Sequence, residues 1–178
     1  ARHAASLKAL TAHMGTQPSL KQRNQDALNL GPLNLSNLGE LERHFLAQIQ
    51  RFDSVVSLAY ANEQREYTGS YRRVLGANLG VAVSSAATGY TFQAYEVTPP
   101  GGRKILATLP NYDPRSRPWY AAAVQAGRQT WTPIFVWPSG DVGIDAVVPL
   151  FAADHSLRGV LDTSLTLNDI GVFLQGLH

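Results

Sequence analysis

The first fifty residues repeat apolar side chains at helical intervals. Leu7, Leu10 and Met14 fall three and four apart, and Leu20, Ala27 and Leu28 carry the stripe past Gly15 and Pro18, where a break is expected. Leu30-Gly31-Pro32-Leu33-Asn34 is punctuation. Beyond it, Asn37 and Glu40 are spaced as a capping box, and Leu38, Leu41, Phe45, Ile49 and Phe52 predict a second helix.

From Ser54 the period shortens to two. Alternation predicts strands over 54–60, 66–73, 90–97 and 103–109, the last two joined by Thr98-Pro99-Pro100-Gly101-Gly102. A short helix is expected over 118–126. Two more strands follow over 143–151 and 158–165 with the turn Ala153-Asp154-His155-Ser156 between them, and a last helix over 168–177. Strands joined by short turns, with one helix inserted, predict an α+β fold: an antiparallel sheet flanked by helices. The organisation expected is an N-terminal helical segment, 1–53, followed by a sheet-bearing lobe, 54–178.

Composition narrows the function classes. With 44% hydrophobic and 16% charged residues over 178 positions, the chain has enough apolar material for one core. No apolar run approaches the ~18 residues that cross a bilayer. Its opening on Ala1 rather than Met suggests a piece of a longer protein. The pI of about 9.1 invites a nucleic-acid reading, but the net charge is only +2. The 15 Lys and Arg are scattered, with no block longer than Arg72-Arg73, and a phosphate-tracking surface needs clustered cations.

Candidate chemistry is sparse. Cysteine is absent, which removes disulfides, thiolate metal sites and cysteine nucleophiles. His3, His13, His44, His155 and His178 include no i,i+4 pair and no metal-motif spacing. Neither a nucleophile elbow nor a phosphate-cradling glycine loop is present. Catalysis, a metal and a cofactor are therefore not expected.

One constellation is dense: Asn111-Tyr-Asp-Pro-Arg-Ser-Arg-Pro-Trp-Tyr120. Pro114 and Pro118 stiffen it and prepare a helix start after Arg117. Two guanidiniums and three aromatic rings are held at a helix N-terminus, where free N–H groups favour anions. A guanidinium can grip a carboxylate with two hydrogen bonds, and Trp and Tyr supply apolar walls. The same residues also allow a purely structural role, with Arg115 paired to Asp113 and Trp119 plugging the core.

The run Tyr112–Tyr120, with Trp131-Thr132-Pro133-Ile134-Phe135, Val148-Pro149-Leu150, Gly159-Val160-Leu161 and Leu165–Leu174, resembles the Cache family of PAS-like extracytoplasmic sensor domains. The helices ahead of it fit the membrane-distal lobe of double-Cache receptors. The resemblance implies a long N-terminal helix, a five- to six-stranded antiparallel sheet, and a ligand pocket between the sheet and the Arg-Pro-Trp-Tyr turn. It also implies a bacterial membrane receptor whose anchors and cytoplasmic output lie outside this chain, and a homodimer formed through the N-terminal helices. The alternative is a ligand-free structural lobe of such a receptor.

In members that bind amino acids, a Tyr, an Arg, a Trp and a Tyr hold the carboxylate, while a later Tyr and two Asp hold the ammonium. The first group is matched by Tyr112, Arg117, Trp119 and Tyr120. The second falls on Phe135, Trp137 and Ser164, with Asp162 two residues before Ser164 on the same strand face. Phe92 and Asp145 complete the candidate lining. With its ammonium partners replaced, the resemblance implies a carboxylate-bearing organic acid in preference to an amino acid, because an unpaired ammonium in a dry pocket is costly.

Overall fold

A computed structural model of the chain describes residues 34–51, 55–72, 78–136 and 142–166. The helices expected over 1–30 and 168–177, and Trp137, lie outside the described residues. The described residues belong to one compact unit.

Helix α1 spans Leu38–Arg51. Asn37 caps it: its side-chain oxygen accepts the Glu40 N–H at 3.1 Å, one half of the expected box, while the Asn37 N–H goes to the Asn34 carbonyl at 2.9 Å. Leu41, Phe45 and Ile49 repeat at four-residue spacing and are buried, so α1 lies on the sheet over the second strand with the first and third beside it. Burial of each such side chain is worth about 1.5–3 kcal/mol.

Nine strands follow, β1 (Ser57–Asn62), β2 (Tyr67–Arg72), β3 (Leu79–Ser84), β4 (Phe92–Thr98), β5 (Gly102–Leu109), β6 (Thr130–Trp131), β7 (Phe135–Val136), β8 (Val142–Phe151) and β9 (Leu157–Thr166). They form one antiparallel sheet in the order β5-β4-β3-β2-β1-β9-β8-β6, with β7 also paired to β8. Helix α2, Pro118–Ala126, is inserted between β5 and β6. The α+β, PAS-like architecture is as expected.

The strand count exceeds the sequence-based expectation of five to six. β6 and β7 are two-residue pieces too short to show a period. β3 was hidden for a different reason. On one of its faces it carries only Gly80, Ala82 and Ser84, small residues that give no strand signal in sequence. In three dimensions that face is covered by β2: a Cβ at Gly80 would fall 2.2 Å from the Tyr71 ring. Gly80 is there because an aromatic ring lies over it.

Register divides the sheet into two faces, since directly opposed residues share a side. One face, with Leu58, Ser70 and Val81, receives α1, and the Ser70 hydroxyl donates to the Glu42 carbonyl at 3.3 Å. The other carries Ala61, Val147 and Val160, which pack with Tyr120 and Ala123 of α2. It also carries Tyr71, Ala82 and Ala94, packed with Tyr67 and Phe92. Between these two clusters the same face holds Ser57, Ala59, Asp145, Asp162 and Ser164. No helix of the described residues is long and apolar enough to cross a membrane.

Candidate ligand site

The segment 111–120 is built as its prolines require. Asp113 caps a 3-10 turn over Pro114–Ser116, its Oδ1 accepting the Arg115 N–H at 3.0 Å. Arg117, in extended backbone conformation, then serves as the N-cap of α2 with Pro118 at the first helical position. Its guanidinium makes no capping bond and stacks over the Tyr112 ring, 5.0 Å from the ring centre. Tyr112 is buried, and its ring meets Phe92 at 5.0 Å and Tyr67 at 5.6 Å. Tyr67 and Phe92 are themselves 5.6 Å apart, which closes an aromatic triangle.

This triangle stands over the small residues of the sheet. A Cβ at Gly69 would lie 2.7 Å from the Tyr67 hydroxyl and 3.1 Å from the Ala59 Cβ. The Tyr67 side chain therefore folds back across Gly69 toward Ala59, whose cross-strand partner is Asp162. Burial raises the Tyr67 phenol well above its ordinary value, with Tyr112 and Asp162 adding to the effect. Burial also raises Tyr112, partly offset by the guanidinium of Arg117, so Tyr112 lies within the electrostatic reach of both Arg117 and Asp162.

Asp145 and Asp162 are 4% and 6% exposed. Asp145 faces Ser164 directly across β8 and β9, and Asp162 sits one pleat further along β9 on the same face. The Ser164 hydroxyl is beside both carboxyls and favours their ionised forms. Ser57 lies opposite on β1, its Oγ 3.4 Å from that of Ser164. One oxygen of each aspartate has no hydrogen-bond partner among the described residues. Burial, the largest cause, pushes the Asp145 carboxyl up to about 6. Burial and then the neighbouring Asp145 raise Asp162 further. Two buried carboxyls with unfilled acceptors and raised proton affinity form a site that favours a cation or a set of N–H donors.

The sequence candidates divide into two groups. Arg117, Tyr112, Phe92, Asp145 and Ser164 are gathered on the α2 face, and Phe135 is paired with Gly143, one pleat from Asp145. Trp119 and Tyr120 instead pack α2 onto that face. Tyr120 is 2% exposed in the cluster with Ala123 and Val147, its hydroxyl donates to Glu63, and Trp119 packs edge-on against it at 5.6 Å. Arg115 takes the structural alternative, with Nε and Nη on Asp113 at 3.0 and 2.8 Å and a further bond to the Glu63 carbonyl at 3.0 Å. These donors hold the Asp113 carboxyl below its usual range.

Two contributors were not read from the sequence. The β1–β2 turn supplies Glu63 and Arg65, which clamp the 112–120 segment: Arg65 donates to the Tyr112 carbonyl at 3.4 Å and lies 3.6 Å from Asp113. The signal in the sequence was Asn62, whose side-chain oxygen accepts the N–H groups of Gln64 and Glu66 at 3.0 Å and sets a tight turn. Tyr67 was the other omission. It lies in a predicted strand, but its reach to the site depends on Gly69.

A hollow of about 350 Å³ lies between the end of α1 and the β4–β5 turn, lined by Gln50, Asn78, Leu79, Val97, Thr98 and Pro99 among others. Among the described residues no charged side chain lines it.

No family model matches the chain, and no curated protein does. Solved structures do. The ligand-binding domain of the Pseudomonas aeruginosa amino-acid chemoreceptor PctC, in complex with GABA, superposes with a TM-score of 0.55 at 19% identity, over 95% of this chain and 62% of that one. The ligand-binding domain of Campylobacter jejuni chemoreceptor Tlp3 with 4-methylisoleucine gives 0.53 at 12% identity, over 92% and 57%. That of Mlp24 with asparagine gives 0.52 at 15% identity, over 93% and 57%. This chain thus spans about three fifths of those structures. Its fold is the Cache-type, PAS-like fold of chemoreceptor ligand-binding domains.

Proposed function

We propose that this chain is the extracytoplasmic ligand-sensing lobe of a membrane-anchored bacterial signalling receptor, and that it binds a small carboxylate-bearing molecule without transforming it. One observation carries the reading. Arg117, stacked on Tyr112 at the edge of an aromatic triangle, stands on the same face as two buried carboxyls with unfilled acceptors. A guanidinium at one end and carboxyls at the other match a ligand that carries a carboxylate and an amine. The cytoplasmic output, the anchors and a signalling or dimer role for residues 1–53 belong to the same proposal.

The preference for an organic acid over an amino acid rested on the loss of ammonium partners at Phe135, Trp137 and Ser164. Asp162, one pleat from Ser164, and Asp145, directly opposite Ser164, offer carboxyls to an ammonium in their place. The fold likeness to domains whose complexes hold GABA and asparagine points the same way. We therefore favour an amino acid or ω-amino acid.

A thermal-shift series tests this with matched pairs: each amino acid against the acid of the same skeleton lacking the amine. Stabilisation by the amino acid alone, lost in Arg117→Ala, supports the reading. Stabilisation by the deaminated acid alone returns the ligand to the organic acids. The network Arg115–Asp113–Glu63–Tyr120 favours a second reading, a ligand-free structural lobe, because half of the motif serves folding. A flat response to every carboxylate would support that reading.

A further inference from the structure

Along β9, Val160, Asp162 and Ser164 succeed one another on the α2 face at intervals of about 7 Å. Val160 is covered by α2, in the cluster of Tyr120 and Ala123. Asp162 is next, opposite Ala59 and within the electrostatic reach of Tyr112. Ser164 is the last of the three, between Ser57 on β1 and Asp145 on β8. The polar face therefore runs away from the α2 cluster, and its distal end is acidic. An amine held beside Tyr112 would meet Asp162; whatever extends from the ligand further along the strands meets Asp145.

This distal end is built rather than incidental. Asp145 is 4% exposed and has an oxygen with no partner among the described residues. Its backbone is fixed at both polar atoms: the N–H donates to Thr132 Oγ1 at 3.0 Å, and the carbonyl accepts the Thr132 N–H at 2.9 Å. Thr132 is itself buried. The neighbouring hydroxyls of Ser57 and Ser164 are mutually hydrogen-bonded and can supply further acceptor lone pairs. A terminal methyl there would leave the Asp145 acceptor unfilled, whereas an ammonium or guanidinium would satisfy it with a charge-assisted bond.

We propose that Asp145, with Ser164 and Ser57, forms a distal subsite for a cationic group at the end of the ligand side chain, so that the lobe selects basic amino acids. This rests on the reading that Arg117 and Asp162 hold the ligand's carboxylate and amine.

Isothermal titration of the 178-residue chain with L-ornithine and with L-norvaline, which has the same carbon skeleton without the terminal amine, tests the subsite. Ornithine is expected to bind about tenfold or more tightly than norvaline. Asp145→Asn is expected to bring the two within about threefold of one another. Ser164→Ala, which removes only the hydroxyl between the carboxyls, narrows the ratio in the same direction. Norvaline binding as tightly as ornithine to the unmodified chain would overturn the distal subsite and leave the amino-acid reading standing. Failure of both to bind at millimolar concentration would overturn the amino-acid reading and the subsite with it.

Discussion

Asp145→Asn should stabilise the protein while impairing its use. The substitution keeps the shape of the side chain and removes a charge that the fold holds nearly out of water. A carboxyl raised from 3.8 to about 6, at about 1.4 kcal/mol per pH unit, weakens folding by roughly 3 kcal/mol once both states are ionised. Some of that gain is returned, because the amide is buried too and its N–H groups need acceptors; Ser164 and Asp162 offer them. A net gain of about 1–3 kcal/mol at pH 8 is therefore expected, or roughly 2–4 °C in Tm per kcal/mol for a chain of this size. The sign with pH is specific. The native carboxyl binds its proton more tightly than the unfolded one, so this group's contribution is most favourable below about pH 3.8. It is lost as pH rises through 6. Asn lacks the titration, so the difference between variant and parent should be small near pH 4, grow through pH 6 and flatten above. Urea unfolding of both proteins at pH 4, 6 and 8 without ligand reads that difference; titrating groups away from the pair cancel in it, and relief of the Asp162 carboxyl adds in the same direction. A gain independent of pH, or a variant less stable at pH 8, would refute the picture of a costly buried carboxylate.

Further expectations follow from the same geometry. Arg117→Lys keeps the charge but loses the planar stack on Tyr112 and the two-pronged grip, so carboxylate ligands should bind at least about tenfold more weakly in calorimetry while Tm changes little. Gly69→Ala places a methyl 2.7 Å from the Tyr67 hydroxyl and should cost about 1–3 kcal/mol in urea unfolding, with loss of ligand-induced stabilisation. Tyr120→Phe removes the hydroxyl that donates to Glu63; a loss of about 1 kcal/mol with nearly unchanged ligand affinity would place Tyr120 in the scaffold rather than the grip. Asp113→Ala removes the cap of the 3-10 turn and the partner of Arg115 and Arg65, and should cost about 1 kcal/mol and loosen ligand binding through Tyr112.

Local pattern determined a large part of this molecule. The helical repeat Leu41, Phe45, Ile49 predicted α1, and alternation with Gly/Pro turns predicted six of the nine strands. Pro114 and Pro118 predicted where α2 begins, because their rings restrict the backbone whatever surrounds them. The sequence also marked the 111–120 segment as the place where chemistry is concentrated. Tertiary structure decided which of those side chains face one another. Arg115 and Arg117 are two residues apart and chemically identical, yet one is bound to Asp113 and the other stacks on Tyr112, because the β1–β2 turn reaches Arg115 and not Arg117. The family resemblance assigned an ammonium position to Ser164 and left it without a carboxylate. Sheet register, which no local period encodes, put Asp145 directly opposite and Asp162 one pleat away. Whether the acidic group exists at all is thus a property of how β8 aligns with β9, and the proposal of an amine-bearing ligand rests on that alignment.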